Sequence, residues 1–426
     1  MRIAVYLADF SSNAGGGEVA ALRLVNALKE LDHDIYLYAS FVDRDVVKFA
    51  CESVGVCTLP KVIDLGLGGA YARRTSPLVR TYLLGGFWTT ISLNRMISKL
   101  ASEISALSRE HDLVITMQSA GPLRGLNVVL GDLVYLHYPV MLPGIVPVAR
   151  YVPRLFASLI EKFVVEIGYR AIAQTLCGGA SIYKVVANST WTKEGLIKLN
   201  LRMLQLLPEP CRHELALPIT AASVIYEPID YETYASRYDL SIKEDVVLTV
   251  SRYAPEKNLW SVIYVASKVP DAHFVIAGTT KTPSSGKVIG QLESLVDKLR
   301  VKNVTLERDV PRRRLVELYE EAKVYLHPLF AEHFGIAIAE GAAAGAVPVV
   351  YKDGGGWTDI ASRIDQSLGY TNIDEAAAIV RSLLGNGDLW LRLSRRSVEV
   401  ARDFSWDNYK RRLDAVVREA YELKRR

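Results

Sequence analysis

Glu332 and Glu340 are the acidic residues whose setting most strongly indicates a binding site. Glu332 lies in a loop after an apolar strand that ends at Pro328, and Glu340 lies in a helical run of Ile, Ala and Gly. A carboxylate in so apolar a helix is expected to be buried at a ligand. If the segment were fully helical, the two carboxylates would be about 12 Å apart. They would then hold two parts of an extended ligand rather than act on one atom.

The start of the same helix is a candidate anion site. We predict that the helix begins near Phe334, which would expose the backbone N–H groups of Phe334, Gly335 and Ile336 to a phosphate. The structural alternative treats Glu332 as an N-terminal charge and Glu340 as part of an internal salt bridge.

The loop Ser251–Asn258 carries two cations around a proline turn. It follows an apolar strand, and parallel sheets bind ligands at the carboxyl ends of their strands. Arg252 supplies a planar fork and Lys257 a point charge, so together they could bind a diphosphate. The alternative is a solvated loop with ordinary charges.

A glycine run, Gly15-Gly16-Gly17, lies between the first strand and the first helix. Consecutive glycines let the backbone approach a ligand, and the helix start favours an anion. The spacing is not that of the GxGxxG dinucleotide fingerprint, and a plain tight turn explains the run equally well.

Strands and helices alternate along most of the chain, which predicts doubly wound parallel sheets of the α/β class. The predicted strands are residues 2–8, 34–39, 246–250, 272–277, 304–306, 324–328 and 347–351. The predicted helices are residues 17–31, 259–267, 288–298, 313–322 and 336–344.

A length of 426 residues predicts two domains, and the strand–helix pattern restarts at Asp245 after the segment Glu227–Asp230. We therefore expect an N-terminal domain over residues 1–229 and a C-terminal domain over residues 230–404. A final helix over residues 405–426 has Ser405 as its N-cap.

Composition excludes several classes of protein. A net charge of +4 is too small for a nucleic-acid binder, and 23% charged residues exclude a disordered chain. The longest stretch without charged side chains, Leu133–Ala149, is interrupted by prolines, so no spanning helix is predicted. The first ten residues resemble a strand rather than a signal peptide, and we expect a cytoplasmic protein whose four cysteines are buried thiols.

The segment Lys61–Arg109 is basic, with seven Lys or Arg against Asp64 and Glu103, and aromatic residues are interspersed. This composition suits a surface that lies on an anionic membrane at the cytosolic face. The alternative is a buried pair of helices with solvated ends.

Taken together, the Glu-x7-Glu segment, the Arg252/Lys257 loop, the glycine run and the C-terminal helix resemble glycosyltransferase family 4. That resemblance implies a retaining, nucleotide-sugar-dependent hexosyltransferase of the GT-B fold. Two Rossmann-like domains would face a cleft, with the acceptor on the first domain and the donor on the second. The C-terminal helix would return to the first domain.

Three motifs within the family resemble the α-1,2-mannosyltransferases that extend the dolichol-linked oligosaccharide. They are Glu332–Ile336, Leu136–Pro139 and Ala187–Thr192. This likeness implies GDP-mannose as the donor and a lipid-linked or membrane-associated glycan as the acceptor.

The resemblance also implies a role for each matching residue of the second domain. Arg252 and Lys257 would bind the donor diphosphate and stabilise the leaving nucleotide. Glu332 would face the donor sugar, and Glu340 would bind the ribose hydroxyls. The amides of Phe334–Ile336 would contact sugar and phosphate.

In the first domain, Gly16 and Gly17 would border the diphosphate, and His137 would touch the donor sugar near the reaction centre. Without the family context, His137 would more often be a structural histidine.

Two features depart from the family's usual pattern. The segment Gly354–Asp359 replaces the usual two glycines, proline and later glutamate, and Trp357 is expected to alter the donor pocket. Asp43-Arg44-Asp45 spells the DxD metal motif of another transferase fold, but it lacks that fold's context. We expect no metal or other cofactor, because Arg252, Lys257 and helix dipoles can stabilise the leaving group.

Three alternatives to a transferase with a lipid-linked acceptor remain open. The same architecture hosts soluble glycan or sucrose-type transferases that use UDP- or ADP-sugars. A nucleotide-sugar epimerase and a non-catalytic scaffold share the fold as well. The basic segment argues modestly against the first, and the retained charged residues argue against the other two.

Overall fold

The computed structural model describes residues 1–7, 9–10, 16–55, 57–63, 99–117, 130–137, 182–205, 209–282 and 284–426. The chain forms two compact units. The first comprises residues 1–188, 192–225 and 410–426, and the second comprises residues 189–191 and 226–409.

The first unit is built on a seven-stranded parallel sheet of order β5-β3-β1-β6-β7-β8-β9. A separate two-stranded pair joins β2 to β4. The strands are β1 (Arg2–Leu7), β2 (Asp9–Phe10), β3 (Asp34–Ala39), β4 (Phe41–Val42), β5 (Lys61–Val62), β6 (Leu113–Met117), β7 (Leu133–Leu136), β8 (Lys184–Ala187) and β9 (Ser223–Val224).

Among the described residues of this unit, five helices precede its C-terminal segment. They are α1 (Gly16–Glu30), α2 (Arg44–Val54), α3 (described over residues 99–110), α4 (Thr190–Leu204, mostly within this unit) and α5 (Glu209–Thr220). The central strand β1 is buried from Ile3 to Leu7, as expected of a parallel strand covered on both faces.

The second unit is built on a six-stranded parallel sheet of order β12-β11-β10-β13-β14-β15. Its strands are β10 (Glu244–Val250), β11 (His273–Gly278), β12 (Val304–Arg308), β13 (Ala322–His327), β14 (Val347–Tyr351) and β15 (Gly369–Tyr370). Counted within the unit, this is the order 3-2-1-4-5-6 of dinucleotide-binding sheets. The order reverses between β10 and β13, so the loops after these two strands flank the crevice in which such sheets bind ligands.

The helices of the second unit are α6 (Tyr231–Ser236), α7 (Trp260–Ala266), α8 (Ser285–Leu299), α9 (Arg312–Glu321), α10 (Ile336–Ala343), α11 (Ile373–Gly385) and α12 (Gly387–Ala401). A π-helical turn, Gly356–Ala361, continues into the short helix Ser362–Ile364. The last helix, α13 (Trp406–Arg425), begins in this unit and continues into the first. Within the described ranges, no helix is long and apolar enough to cross a membrane.

The predicted doubly wound α/β class is confirmed, and element boundaries agree closely with the pattern of the sequence. The strands 34–39 and 347–351 match β3 and β14 residue for residue. Ser405 caps α13, because its hydroxyl oxygen accepts the N–H of Asn408 at 3.5 Å.

The prediction of free thiols is wrong for Cys51 and Cys57, which form a disulfide with a Cα–Cα distance of 4.7 Å. Helix α2 ends at Val54, and Gly55 adopts a left-handed conformation with φ of 74°. This turn brings Cys57 back beside the last turn of the helix. A separation of only six residues therefore closes a small loop that the sequence pattern alone does not indicate.

The DxD segment has a local structural role at the other end of α2. Asp43 is the N-cap, and its Oδ1 accepts the N–H groups of Asp45 at 2.8 Å and Val46 at 3.4 Å.

A buried carboxylate fixes the end of α13 in the first unit. Asp132 is 2% exposed and accepts hydrogen bonds from the N–H of Val114 at 2.7 Å and from Lys424 Nζ at 2.9 Å. The same ammonium donates to the carbonyl oxygens of Ser108 at 2.7 Å and His111 at 3.2 Å.

Lys424→Met should lower the free energy of unfolding by about 3 kcal/mol, because it leaves the buried Asp132 carboxylate without its cation. Arg418→Met is the matched control, since Arg418 pairs with Asp414 on the solvent side of the same helix, where an ion pair contributes little. Urea unfolding monitored by circular dichroism measures both. Equal losses in the two variants would contradict a special role for Lys424.

Candidate active site

A buried tyrosine attaches the loop after β10 to the neighbouring strands. The hydroxyl of Tyr253 donates to the carbonyl oxygens of Ile276 at 2.7 Å and Glu307 at 3.0 Å. Both acceptors lie on neighbouring strands of the sheet, so the loop is held at the carboxyl edge of β10.

A proline turn then directs the next cation of this loop. Pro255–Lys257 form a 3-10 turn, and Asn258 follows in a left-handed conformation with φ of 51°. The side-chain amide of Asn258 donates to the carbonyl oxygen of Pro328 at 3.0 Å. This bond ties the loop after β10 to the loop after β13 at the point where the strand order reverses.

The loop after β13 is packed against two glycines that no larger residue can replace without movement. The N–H of Gly355 donates to the carbonyl oxygen of Glu332 at 2.6 Å. A Cβ atom on Gly354 would lie 2.5 Å from that same oxygen, and one on Gly355 would lie 2.2 Å from the carbonyl oxygen of His333. Gly354 also has a φ of 104°, in the region that favours glycine.

Glu332 receives three hydrogen bonds. Its Oε2 is 3.3 Å from Lys257 Nζ and 3.1 Å from His327 Nε2. Its Oε1 accepts the backbone N–H of His333 at 3.2 Å. The two predicted residues Lys257 and Glu332 are therefore brought together from different loops.

The Glu332 side chain is only 18% exposed, so burial alone would raise its pKa. The ammonium of Lys257 and the hydrogen bond from His327 outweigh that burial and hold the pKa of Glu332 well below its usual range. Glu332 is consequently a carboxylate at neutral pH and acts only as a hydrogen-bond acceptor.

Phe334, Gly335 and Ile336 lie at the start of α10, which begins at Ile336, as the predicted helix over residues 336–344 does, and not at Phe334. Gly335 precedes the helix with a φ of 98°, a conformation that ends any continuous helix from Glu332. The Phe334 ring packs in the core against Tyr226 and Phe404. Phe334 therefore offers only its backbone, and the first N–H groups of α10 remain suited to an anion.

Glu340 is buried in α10 and has partners of its own. Its Oε2 accepts the hydroxyl of Tyr319 at 3.1 Å, and its Oε1 is 3.5 Å from Arg312 Nη1. Arg312 also lies over the ring of Tyr234. The internal salt bridge that the sequence left open as an alternative is thus present, on the first residue of α9.

Arg252 has a different setting from Lys257. Its guanidinium is 3.3 Å from the carboxylate of Glu256, four residues along the same loop, and its side chain is 38% exposed. It therefore lies at the solvent side of the loop, where its pairing with Glu256 is weak.

Gly16, Gly17 and His137 belong to the first unit. The two glycines are the first residues of α1, and a Cβ on Gly17 would meet no atom within 4 Å. His137 directly follows β7, and its ring stacks on Tyr135 with centroids 4.9 Å apart. Gly15 and most of the basic segment, residues 64–98, lie outside the described residues.

The sequence analysis did not identify three residues of the second unit as candidates for the site. His327 ends β13 and contacts Glu332, and Arg312 pairs with Glu340. Asp359 is 1% exposed and accepts the N–H of Thr190 at 2.9 Å. The available signals were a histidine at a strand end and an arginine that opens a helix, neither of which is specific.

Trp357, predicted to alter a donor pocket, packs beside Lys352 and against the backbone of Gly369. Among the described residues, no group of three acidic, histidine or cysteine side chains is arranged to hold a metal ion.

Residues 230–400 match the family model described as "Glycosyl transferases group 1". This range includes both loops and both glutamates. The match thus covers nearly the whole of the second unit.

Curated proteins that match the chain are also glycosyltransferases by name. A GDP-Man:Man(3)GlcNAc(2)-PP-Dol alpha-1,2-mannosyltransferase from Neurospora crassa is 29% identical over 202 residues, 44% of this chain and 36% of that protein. The enzyme of the same name from Dictyostelium discoideum is 24% identical over 44% of this chain and 40% of its own length. The matches thus span well under half of these two relatives. A D-inositol 3-phosphate glycosyltransferase from Acidothermus cellulolyticus is 29% identical over 63% of this chain and 60% of its own length.

Solved structures match the chain at low identity over nearly its whole length. Anabaena Alr3699/HepE in complex with UDP aligns with a TM-score of 0.65 and 15% identity, covering 98% of this chain and 99% of that one. Sucrose-phosphate synthase from Thermosynechococcus elongatus aligns with a TM-score of 0.61 and 14% identity, covering 99% of each. The predicted GT-B fold is confirmed, as is the resemblance to the dolichol-pathway mannosyltransferases.

Gly354→Ala should lower the free energy of unfolding of the second unit by about 1–3 kcal/mol, because the new Cβ meets the Glu332 backbone at an unfavourable φ. Gly290→Ala is the control, since this exposed glycine of α8 has open space and should gain about 0.5–1 kcal/mol. Thermal unfolding measures both changes. A Gly354→Ala variant as stable as the wild type would mean that the two loops are not in contact as described.

Proposed function

We propose that this protein is a retaining glycosyltransferase that transfers a hexose from a nucleotide sugar. The preferred donor is GDP-mannose, and the acceptor is a lipid-linked or membrane-associated glycan. The observation that carries the proposal is the Lys257–Glu332 pair, which joins the two loops at the reversal of strand order in the second unit. The comparisons support the reaction class.

Lys257 is suited to the donor diphosphate. Its ammonium lies at the carboxyl edge of the sheet, where the N-terminus of α10 adds a second source of positive potential. Negative charge develops on the diphosphate as the sugar leaves, and a fixed cation stabilises that charge. Arg252 is close enough in sequence to join it once its weak pairing with Glu256 is exchanged.

Glu332 is suited to the sugar. Because it is ionised, it can accept hydrogen bonds from sugar hydroxyls but cannot protonate the leaving phosphate. In the proposed front-face displacement, the departing phosphate helps to deprotonate the acceptor hydroxyl, and no metal takes part. His137, Gly16 and Gly17 would approach the donor from the first unit.

Glu340 is suited to a diol. Its carboxylate is held by Tyr319 and Arg312, so it is fixed before ligand arrives and can accept hydrogen bonds from the two ribose hydroxyls. The roles of the two glutamates are thereby separate, one for the sugar and one for the nucleotide.

The names of the relatives favour GDP-mannose and a lipid-linked acceptor, since at least five of the matching proteins carry the dolichol-pathway name. A second candidate is a UDP-sugar-dependent transferase with a soluble acceptor. It is favoured by the longer match to the D-inositol 3-phosphate enzyme and by the likeness to a UDP-bound structure.

Release of nucleoside diphosphate from GDP-, UDP- and ADP-sugars, measured with and without a mannosylated lipid acceptor, tests the proposal. Acceptor-stimulated release from GDP-mannose supports it. Release only from UDP-sugars would move the assignment to the second candidate, and no release from any donor would overturn both.

Lys257→Ala and Arg252→Ala should each slow transfer by the equivalent of about 2–4 kcal/mol of transition-state stabilisation, since each removes a charged hydrogen bond at the leaving group. Lys302→Ala is the control, because Lys302 is exposed just before β12, at the opposite edge of the sheet. Steady-state kinetics and unfolding curves are compared for the three variants. Near-normal turnover in both loop variants would rule out their contact with the diphosphate.

Glu340→Gln should weaken the binding of free GDP, whereas Glu332→Gln should slow transfer with little effect on GDP affinity. The physical reason is that Glu340 would bind the ribose and Glu332 the sugar. Calorimetric titration with GDP and measurement of kcat separate the two effects. Equal losses of GDP affinity in both variants would contradict this division.

Membrane attachment through residues 61–109 is part of the proposal for the acceptor. Each basic group near an anionic bilayer contributes on the order of 1 kcal/mol, and the segment has a net charge of +5. We expect co-sedimentation with anionic vesicles at low salt, its loss at high salt, and its loss in a variant with Arg73, Arg74 and Arg80 changed to Glu. Absence of binding at low salt would favour a soluble acceptor.

A further inference from the structure

His327 is a buried histidine beside the carboxylate that faces the proposed sugar site. It is the last residue of β13, it is 5% exposed, and its ring stacks on that of Tyr325. Its backbone oxygen accepts the hydroxyl of Tyr370 at 2.8 Å. The ring therefore projects from a fixed point of the sheet rather than from a loop.

The two ring nitrogens of His327 have different surroundings. Nε2 is 3.1 Å from Glu332 Oε2, and because that oxygen only accepts, Nε2 must carry the proton that is donated. Nδ1 is buried and has no hydrogen-bond partner among the described residues. A proton on Nδ1 alone would be an unpaired buried donor and would leave Glu332 without this hydrogen bond, so the pairing requires a proton on Nε2.

Glu332 Oε2 thus has two partners that differ in how freely they can move. Lys257 extends from a loop on a flexible side chain, and under the proposed function its ammonium is also needed by the diphosphate of the donor. Among the described residues, His327 Nε2 has Glu332 as its hydrogen-bond partner, and the backbone of His327 is fixed by the strand. When Lys257 moves toward the diphosphate, His327 is the partner that stays.

We propose that His327 is a positioning residue that holds the Glu332 carboxylate toward the donor sugar while Lys257 binds the diphosphate. The inference rests on the proposed function and assigns to this site a hydrogen-bond donor at the end of a strand in addition to the cation of the loop. Lys257 is then free to change partners without loss of the orientation of Glu332.

The charged and titratable groups that face Glu332 are Lys257 from the loop after β10, His327 and Tyr325 from β13, and His333 from its own loop. If His327 is replaced by an apolar residue, Glu332 has fewer groups that favour its ionised form once Lys257 has moved to the donor. Its pKa should then rise, because burial favours the protonated form. The acid limb of the pH profile of kcat should shift to higher pH.

Two substitutions separate positioning from packing. His327→Leu keeps a similar volume but removes the donor, whereas His327→Gln keeps an N–H at a similar distance from the backbone. We expect kcat to fall about 10- to 100-fold in His327→Leu, as for a lost hydrogen bond to a charged group, and to recover at least half-way on a logarithmic scale in His327→Gln. Donor KM should change less than threefold in both.

His273→Leu is the control for loss of a histidine from this sheet. His273 is exposed at the start of β11, at the edge away from the site, where its Nε2 is 3.2 Å from Thr305 Oγ1. We expect its kcat and its pH profile to match those of the wild type.

A second measurement does not depend on activity. In the full-length protein labelled with ¹⁵N-histidine, NMR of the ring nitrogens should show a proton on Nε2 of His327 from pH 5.5 to 8, with the His327→Gln variant assigning its signal. In Glu332→Gln the His327 signals should shift, because its acceptor has changed.

The two measurements distinguish the possible failures. An Nε2 of His327 that carries no proton would overturn the pairing whatever reaction the protein catalyses. A protonated Nε2 with equal kcat losses in His327→Leu and His327→Gln, or an unshifted acid limb in His327→Leu, would overturn positioning and leave the proposed transfer intact. No transfer by the wild type under any donor would overturn the proposed function, and the positioning role with it, while NMR still decides whether Nε2 carries a proton.

Discussion

The second unit depends on keeping one carboxylate ionised where solvent is largely excluded. Burial would protonate Glu332, so its surroundings must supply both a cation and further hydrogen-bond donors. Strand order provides them, because its reversal brings the loop after β10 beside the end of β13 and the loop that follows it. Lys257 comes from the first loop, His327 is the last residue of β13, and the N–H of His333 comes from the loop after β13. The strand order of the second unit is thus what keeps Glu332 ionised, because it places the groups that stabilise the carboxylate.

The close packing around this carboxylate explains the glycines near it. Gly354 and Gly355 bring the backbone after β14 into contact with the backbone of residues 332 and 333, where no Cβ would fit. Gly335 makes the turn into α10 that its positive φ requires. The site is therefore built from backbone as much as from side chains, and its shape is set by residues that carry no chemistry of their own.

Much of the fold could be predicted because the central strands of both sheets are buried on both faces and read as continuous apolar runs. Lys257 and Glu332 could be singled out for a related reason, since both follow strands and so lie at one edge. The partner of Glu340 could not be predicted, because its ion pair with Arg312 joins two separate helices. The Cys51–Cys57 disulfide depended on the conformation of a single residue, Gly55, which the sequence pattern does not determine.

The second unit begins and ends at the same place, since the N–H of Ile229 donates to the carbonyl oxygen of Phe404 at 2.9 Å. It is in effect a domain inserted into the chain of the first unit, whose residues 410–426 follow it. During synthesis on a ribosome, the inserted domain can complete its hydrogen bonding first. The first unit lacks the cation that pairs with the buried Asp132 until Lys424 has been synthesised. The N-terminal unit, although it is made first, is therefore expected to complete its folding last.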